Sequence, residues 1–187
     1  MTDILVVCTA NRCRSVMVEA LLARGLAASG AAGSVRSAGL LREGDPPPPE
    51  VISAMAGYGL DVAAHRSSVL RGRALSDAQL VLGMAREHVR HAVVADPAAW
   101  PRAFTLKELV RRGQETGPGL PGESLAGWLA RIHHGRDRLA LLGDSPDDDV
   151  ADPIGGPPEA YAATAAQLDD LVGRIVVLCG PLLPSQT

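Results

Sequence analysis

The opening segment of the chain constrains the fold most, because it joins an apolar run to an amphipathic segment through a short polar stretch. The run Ile4-Leu5-Val6-Val7 is uninterrupted and mostly β-branched, which is typical of a central parallel strand buried on both faces. Residues 8–15 contain no apolar run, and Val18, Leu22 and Leu26 then recur at helical spacing. A strand, a polar loop and a helix in this order direct backbone N–H groups toward a bound anion.

The remainder of the chain continues to alternate between strand-like and helix-like segments. This alternation predicts an α/β fold, a single-domain doubly wound sheet of four parallel strands with helices on both faces. We expect the later strands near residues 35–37, 80–82 and 103–106, and the later helices near residues 49–58, 86–94, 124–133 and 161–175.

Two further boundaries follow from composition along the chain. Residues 113–122, GQETGPGLPG, are rich in glycine and proline and are expected to form a flexible loop, the best candidate for an insertion. No interdomain linker is evident, so we expect one domain over residues 1–180 and a short disordered tail over residues 181–187.

Charge and cysteine content exclude several classes of protein. The net charge of −3 argues against a nucleic-acid partner, and no apolar stretch approaches the ~20 residues that span a bilayer, so no membrane partner is expected. The start of the chain lacks the basic charge of a secretory signal, which predicts a cytoplasmic protein. Its three cysteines, Cys8, Cys13 and Cys179, have no metal-ligand spacing, so we expect no metal and no cofactor.

Cys8 and Arg14 define the candidate site. The helix N-terminus, the loop N–H groups and Arg14 would all favour the thiolate form of Cys8, and the Ser15 hydroxyl could donate to it. The same donors would bind a tetrahedral oxyanion, with the guanidinium of Arg14 contacting two oxygens. A nucleophile beside an anion site suits attack of sulfur on phosphorus. Asp152, which precedes Pro153 in a later loop, is the candidate general acid for the departing oxygen.

These residues give the chain a family resemblance. It resembles the low-molecular-weight protein tyrosine phosphatases. Because it is rich in alanine and arginine, it resembles the actinobacterial-like members of that family in particular. The resemblance rests on a Cys-x5-Arg-Ser loop at residues 8–15 and on Asp152-Pro153-Ile154-Gly155-Gly156, with shorter matches at residues 37–39, 65–67 and 81–84. It implies a phosphatase that hydrolyses phosphomonoesters, protein phosphotyrosine or a related phosphorylated substrate, through a cysteinyl-phosphate intermediate.

The resemblance also implies a role for each residue of the site. Cys8 would be the nucleophile, Arg14 the phosphate clamp and Asp152 the general acid and then the general base. Asn11 would hold the unusual backbone geometry of the loop, since asparagine tolerates a positive φ. The remaining contacts to the substrate phosphate would come from the loop itself, from Thr9, Ala10, Asn11, Arg12, Cys13 and Ser15. The implied partner is a phosphorylated protein or a small phosphorylated metabolite, bound by a monomer or weak dimer.

Some positions depart from the family pattern. Ala10, Arg12 and Val16 replace a usual glycine, a usual apolar residue or threonine, and a usual proline. Ile154 and Gly155 follow Asp152-Pro153 where many tyrosine phosphatases carry aromatic residues, which weakens the prediction of phosphotyrosine as the substrate. Arg12 would repel a guanidinium substrate, and it predicts a preference for an acidic or multiply phosphorylated one.

Two other functions stay open on the sequence. A thiol-dependent arsenate reductase would use the same loop to attack arsenate, although no relay cysteine lies between Cys13 and Cys179. A non-catalytic phosphate-binding module would keep the loop and lose the chemistry, although the set Cys8, Arg14 and Asp152 is complete. Cys13 itself has two interpretations, packing under the loop or trapping an oxidised Cys8 as a disulfide.

We expect mainly structural roles for the histidine and tyrosine side chains outside the motifs. His88 and His91 are expected to be surface or capping residues. His65 is expected to have a structural role near the site, and Tyr161 is expected in the core because it lies on the apolar face of the last helix.

Overall fold

The computed structural model describes residues 2–184 and contains a sheet of four parallel strands. The strand order is β2-β1-β3-β4, with β1 in the interior of the sheet and paired to β2 and β3. This architecture confirms the predicted fold class. The strands are β1 (Thr2–Cys8), β2 (Gly33–Gly39), β3 (Leu80–Gly83) and β4 (Ala103–Thr105).

Seven α-helices connect and cover the strands in the described part of the chain. They are α1 (Arg14–Ala28), α2 (Pro49–Ala56), α3 (Gly72–Asp77), α4 (Arg86–Ala95), α5 (Leu106–Thr116), α6 (Leu125–His133) and α7 (Pro158–Cys179). Short 3-10 turns lie at Pro97–Arg102, Arg138–Leu141 and Gly180–Leu182. Within residues 2–184, no helix combines the length and apolarity that crossing a bilayer would need.

Alternate residues of β1 supply the cores on the two faces of the sheet. Ile4 and Val6 pack in the larger core with α1, α5, α6 and α7, whereas Leu5 and Val7 pack in the smaller core with α3, α4 and Trp100. All four of these β1 side chains are at most 1% exposed. The continuous apolar run therefore reflects a strand covered by helices on both sides.

Two helices, α3 and α5, were not predicted from the sequence. The strand expected over residues 103–106 ends at Thr105, whose hydroxyl accepts a hydrogen bond from the Glu108 backbone N–H at 3.1 Å and caps α5. The expected loop over residues 113–122 is wrong at its start, because Gly113 to Thr116 form the last turn of α5. α3 is a short helix of six residues with one buried side chain, Leu75, which left little periodic signal.

The rest of the 113–122 segment is fastened to the helices beside it. Gly117 O accepts a hydrogen bond from Trp128 Nε1 and Gly119 N donates to Leu178 O, both at 3.0 Å. At Gly113 a Cβ atom would meet Leu178 Cδ1 at 2.9 Å, so glycine allows the close approach of α5 and α7. The segment packs near the amino ends of the strands, away from Cys8 at the carboxyl end of β1.

The first part of the tail that was expected to be disordered, residues 181–184, lies within the described chain and is packed there. Gly180–Leu182 form a 3-10 turn, Leu183 is 7% exposed, and Pro184 O accepts a hydrogen bond from Ala32 N. Residues 185–187 lie outside the described part of the chain. The boundary of the domain at residue 180 stays a prediction.

Arg136 is buried between β4 and the helices that cover it. Its side chain is 2% exposed, and it contacts both carboxylate oxygens of Glu108 at 2.7 and 2.8 Å. It also donates to Trp100 O at 3.0 Å and Ala103 O at 2.8 Å, and its guanidinium carbon lies 3.9 Å from the ring centroids of Trp100 and Phe104. One cation thus joins β4, α5 and the two rings, which sequence periodicity could not show.

We expect Arg136→Met to lower the free energy of unfolding by about 3–5 kcal/mol, because it leaves the Glu108 carboxylate buried without its cation. Chemical denaturation measures this loss. The double variant Arg136→Met/Glu108→Leu should be more stable than Arg136→Met alone. Arg174→Met is the matched control: Arg174 and Asp170 are 48% and 57% exposed, so its effect should stay within about 1 kcal/mol. Equal small losses for both arginine variants would contradict a structural role for the buried pair.

Candidate active site

The candidate site is the loop that joins β1 to α1. Cys8 is the last residue of β1, and α1 begins at Arg14. The loop therefore lies at the carboxyl ends of the parallel strands, the edge where ligands bind in open α/β sheets. Among the described residues, no acceptor is hydrogen-bonded to the backbone N–H groups of residues 10–13. These donors, together with the N-terminus of α1, form a cradle suited to an anion.

Asn11 sets the shape of the loop. Its φ of 53° is the one positive value at a non-glycine residue within residues 2–184, as the sequence predicted for this position. Its side chain is fully buried and bonded at both ends: Nδ2 donates to Ser15 Oγ at 3.0 Å and Ser37 Oγ at 2.7 Å, and Oδ1 accepts from Ser68 N at 2.8 Å. Asn11 O lies 3.0 Å from His65 Nε2, which places His65 at the site as expected.

Gly39 explains how the loop can lie so close to β2. A Cβ atom on Gly39 would meet Asn11 N at 2.7 Å and the carbonyl carbon of Ala10 at 2.8 Å, and both are backbone atoms that cannot move aside. The neighbouring Leu40 N donates to Thr9 O at 2.7 Å. The end of β2 therefore forms one wall of the loop.

Ser15 is positioned to stabilise a thiolate on Cys8. Ser15 Oγ lies 2.9 Å from Cys8 Sγ, and both residues are buried. Because Ser15 Oγ already accepts from Asn11 Nδ2, its own hydrogen is available to the sulfur. The Ser15 hydroxyl can therefore donate a hydrogen bond to the Cys8 sulfur.

Arg14 lies between the loop and the segment that carries Asp152. The residue is 5% exposed, and its Nη1 donates to Val150 O at 2.9 Å. Its Nη2 contacts Asp152 Oδ2 at 2.5 Å and Thr9 Oγ1 at 3.3 Å. The Nε atom is buried without a hydrogen-bond partner among the described residues, so this donor remains for a ligand.

The Asp152 segment is anchored on both sides of the carboxylate. Val150 N donates to Met84 O, directly after β3, at 2.8 Å. Gly155, with a φ of 83°, donates its N–H to the Tyr161 hydroxyl at 3.2 Å, and Tyr161 is 3% exposed as expected for a core residue. The Asp152 side chain itself is 37% exposed, so it faces both Arg14 and solvent.

The other two cysteines are buried thiols. Burial, together with the negative charges of Asp152 and Cys8, raises the pKa of Cys13 to about 12, and burial raises the pKa of Cys179 to about 12. Cys13 packs in the larger core, and all three cysteines are free. The trapping of an oxidised Cys8 by Cys13 stays a prediction.

One histidine near the site was misassigned by sequence reasoning. His88 is fully buried, and its Nε2 lies 3.1 Å from Thr9 Oγ1, so it is not a surface or capping residue. It lies in the first turn of α4, which follows β3 and so begins at the same sheet edge as the Cys8 loop. The position of His88 at the start of the helix that follows β3 could have indicated from the sequence that it lies near the Cys8 loop. Glu19 and Ser68, which bond to Ser37 and Asn11, were also missed.

No group of three or more histidine, cysteine, aspartate or glutamate side chains in residues 2–184 is arranged to hold a metal ion. The site thus combines a buried thiol, a hydroxyl donor, unpaired backbone N–H groups, one arginine and one carboxylate. Such a set can bind a tetrahedral oxyanion directly above a sulfur nucleophile.

Comparison with known proteins decides the family. The model of the low molecular weight phosphotyrosine protein phosphatases matches residues 3–117, which is more than half of the chain. The chain belongs to the low-molecular-weight protein tyrosine phosphatase family. As a member of that family it is a cysteine-dependent phosphatase, and the comparisons do not favour the arsenate-reductase alternative.

The relatives of this phosphatase act on more than one kind of substrate. The chain is 32% identical over 184 residues to a protein-arginine-phosphatase of Geobacillus stearothermophilus, covering 92% of both chains. It is 31% identical to the low molecular weight protein tyrosine phosphatase of T. tengcongensis, with a TM-score of 0.71 and coverage of 94% and 98%. A mutant of the YwlE arginine phosphatase with a phosphorylated active-site serine is 28% identical, with a TM-score of 0.70 and 93% coverage of both chains.

We expect Asn11→Ala to lower the free energy of unfolding by about 2–4 kcal/mol, because it removes several buried hydrogen bonds and forces alanine into a positive φ. Asn11→Gly removes the same bonds without the steric penalty, so it should be more stable than Asn11→Ala by up to ~1 kcal/mol. Thermal and urea unfolding of both variants measure the difference. Two variants of equal stability would show that the backbone bend carries no cost.

Proposed function

We propose that Cys8, Arg14 and Asp152 hydrolyse a phosphorylated substrate in two steps, with the phosphoryl group carried on Cys8. The observation that carries the proposal is the arrangement around one loop. Cys8 Sγ contacts Ser15 Oγ at 2.9 Å, Arg14 contacts Asp152 at 2.5 Å, and the backbone N–H groups of residues 10–13 have no protein acceptor among the described residues.

In the first step the Cys8 thiolate attacks phosphorus in line, the S–P bond forms and the P–O bond to the leaving group breaks. Protonated Asp152 gives its proton to the departing oxygen. The phosphate oxygens would be bound by the Arg14 guanidinium and by the loop from Thr9 to Cys13. The backbone N–H groups of Ala10, Asn11 and Arg12 would be among the donors of this loop. These donors stabilise the charge of the transferring group without first having to reorganise.

In the second step the Asp152 carboxylate takes a proton from water as the water oxygen attacks phosphorus. The S–P bond breaks, inorganic phosphate leaves and the Cys8 thiolate returns. The Ser15 hydroxyl, already directed at the sulfur, stabilises the thiolate as the leaving group. Every proton and electron pair in both steps is supplied by the protein, the substrate or water.

Phosphate release from p-nitrophenyl phosphate tests these assignments. Cys8→Ser should abolish turnover because it replaces the thiolate nucleophile, and Asp152→Asn should lower kcat by about 10²–10⁴-fold. Cys179→Ala removes a cysteine remote from the loop and should keep the parent rate. Loss of activity in all three variants, or in none, would contradict the proposal.

We infer that an arginine and aliphatic side chains lie at the entrance to the site, because Arg12 belongs to the Cys8 loop and Ile154 follows Asp152-Pro153. Arg12 Nε donates to Pro46 O at 2.8 Å, and its two Nη groups have no hydrogen-bond partner within residues 2–184. Ile154, which follows Pro153, is 47% exposed, and Leu41, beside the residue that bonds to Thr9, is 63% exposed. The entrance therefore offers apolar surface and a second cation.

We propose that this entrance favours a phosphorylated group with a second anionic group nearby, such as phosphotyrosine in an acidic segment or a multiply phosphorylated metabolite. The names of the relatives include arginine phosphatases, but a phosphoarginine guanidinium would lie near the Arg12 cation and be repelled. We further propose that the protein works in the cytoplasm, where thiols are kept reduced, and that it works as a monomer or weak dimer.

The selectivity proposal is tested by Arg12→Ile. For two phosphotyrosine peptides that differ only in flanking acidic or neutral residues, the ratio of kcat/KM values should fall by about 5–30-fold in the variant. The preference of the parent should also weaken as salt is added. Arg42→Gln is the matched control, because Arg42 is an exposed arginine nearby that is paired with Asp45. The same ratio in the parent and Arg12→Ile, or a parent that prefers phosphoarginine, would overturn the proposal.

A further inference from the structure

His88 is a buried polar side chain that the two catalytic steps do not use. It lies in the first turn of α4 with no exposed surface. Its Nε2 lies 3.1 Å from Thr9 Oγ1, and its Nδ1 is buried without a hydrogen-bond partner among the described residues. Nε2 also lies 3.3 Å from Glu87 Oε1, so the polar contacts of this desolvated ring are all made by one nitrogen, at Thr9 and Glu87.

The contacts of the Thr9 hydroxyl show which way each hydrogen bond runs. Thr9 Oγ1 lies 3.3 Å from Arg14 Nη2, 3.1 Å from His88 Nε2 and 3.4 Å from Glu87 Oε1. A guanidinium can only donate and an ionised carboxylate can only accept, so Thr9 accepts from Arg14 and donates to Glu87. The second lone pair of the hydroxyl remains, and it is matched by an N–H on His88 Nε2.

The protonation of His88 leads to the same tautomer. Burial, the nearby Arg14 cation and His91 lower the pKa of His88 to about 3, so the ring is neutral and carries one proton. The Ala85 backbone carbonyl acts in the opposite direction and raises the pKa, but Nδ1 has no partner with hydrogen-bond geometry among the described residues. Nε2, in contrast, has two oxygens within reach, Thr9 Oγ1 at 3.1 Å and Glu87 Oε1 at 3.3 Å, so we place the proton on Nε2. With the proton on Nε2, the N–H group is bonded to Thr9 and Nδ1 is a buried acceptor without a donor. Burying an unpaired acceptor costs less free energy than burying an unpaired N–H donor.

We propose that His88 is a positioning residue for phosphate binding: its Nε2–H fixes the Thr9 hydroxyl, and Thr9 in turn holds the Arg14 guanidinium in the orientation that leaves Nε free for the substrate. The inference rests on the proposed role of Arg14 as the phosphate clamp. Arg14 has three protein contacts, to Val150 O, Asp152 and Thr9. When Asp152 turns to the leaving group, Thr9 and Val150 O are the contacts that keep the guanidinium in place.

Four variants test the contact. His88→Leu fills similar volume without a donor, His88→Gln restores an N–H near the Nε2 position, and Thr9→Val removes the hydroxyl. The fourth is the double variant His88→Leu/Thr9→Val. The measurements are kcat and KM for p-nitrophenyl phosphate and the inhibition constant of inorganic phosphate. His91→Leu is the control, because His91 is exposed on the same helix and within residues 2–184 its ring makes a hydrogen bond only to Glu87 O.

We expect His88→Leu to weaken phosphate inhibition by about tenfold and to lower kcat/KM by about 10–100-fold. His88→Gln should recover most of both losses. The double variant should be no worse than Thr9→Val alone, because both substitutions act through one hydrogen bond. Parent-like constants for His88→Leu, or additive losses in the double variant, would overturn the inference.

A second measurement does not depend on turnover. ¹⁵N chemical shifts of the His88 ring in the reduced parent protein should show a proton on Nε2, and Thr9→Val should shift that resonance. A proton on Nδ1 would overturn the inference. If the parent releases no phosphate from its substrates, the proposed function fails, whereas the tautomer and phosphate binding by His88→Leu still decide whether His88 positions Arg14.

Discussion

The Arg14 guanidinium is buried where the first strand ends and the first helix begins, and a buried cation must be surrounded by acceptors. Those acceptors come from distant parts of the chain: Val150 O, the Asp152 carboxylate and the Thr9 hydroxyl. The ion pair with Asp152 joins residues separated by 138 positions. Satisfying this one charge therefore brings the Asp152 segment against the loop that begins at Cys8.

The rest of the site supports that cation and its neighbour Cys8. Asn11 turns the backbone at a φ of 53° and connects the loop to Ser15, Ser37 and Ser68, so the loop is held on two sides. Gly39 lets the end of β2 approach the loop backbone. Because each of these groups is bonded before any substrate arrives, little of the binding energy needs to be spent on ordering the loop.

The sequence predicted the parts of this arrangement that local pattern encodes. The apolar run Ile4-Leu5-Val6-Val7 and the helical spacing after Ser15 located the strand, the loop and the helix. The Asn11 bend was implied by the resemblance to the family, and the tolerance of asparagine for positive φ agrees with it. Features that depend on contacts between distant segments were not predicted. His88 and Arg136 are charged or polar residue types that are usually exposed, and only the fold shows them buried beside their partners. α5 was missed because Leu106 extends an apolar run that resembles a strand.

The departures from the family pattern leave Cys8, Arg14, Ser15 and Asp152 in place. Two of the departures are accessible beside these residues: Arg12, whose Nε donates to Pro46 O, and Ile154, which is 47% exposed. The chain can therefore belong to the family, whose model matches residues 3–117, and still act on a substrate unlike those of its relatives. Ala10 and Val16 are accommodated without a second positive φ at a non-glycine residue in the described chain.

In the proposed mechanism Cys8 carries the phosphoryl group between the two steps. Asp152→Asn should accumulate this intermediate with p-nitrophenyl phosphate, because the phenolate leaves with little help from an acid while the hydrolysis step loses its base. We would mix the variant with substrate, quench in denaturant within one turnover and measure the mass of the peptide that contains Cys8. We expect a mass increase of one phosphoryl group on the Cys8 peptide and no such increase in the Cys8→Ser protein. Phosphate release without any phosphorylated Cys8 peptide would contradict it.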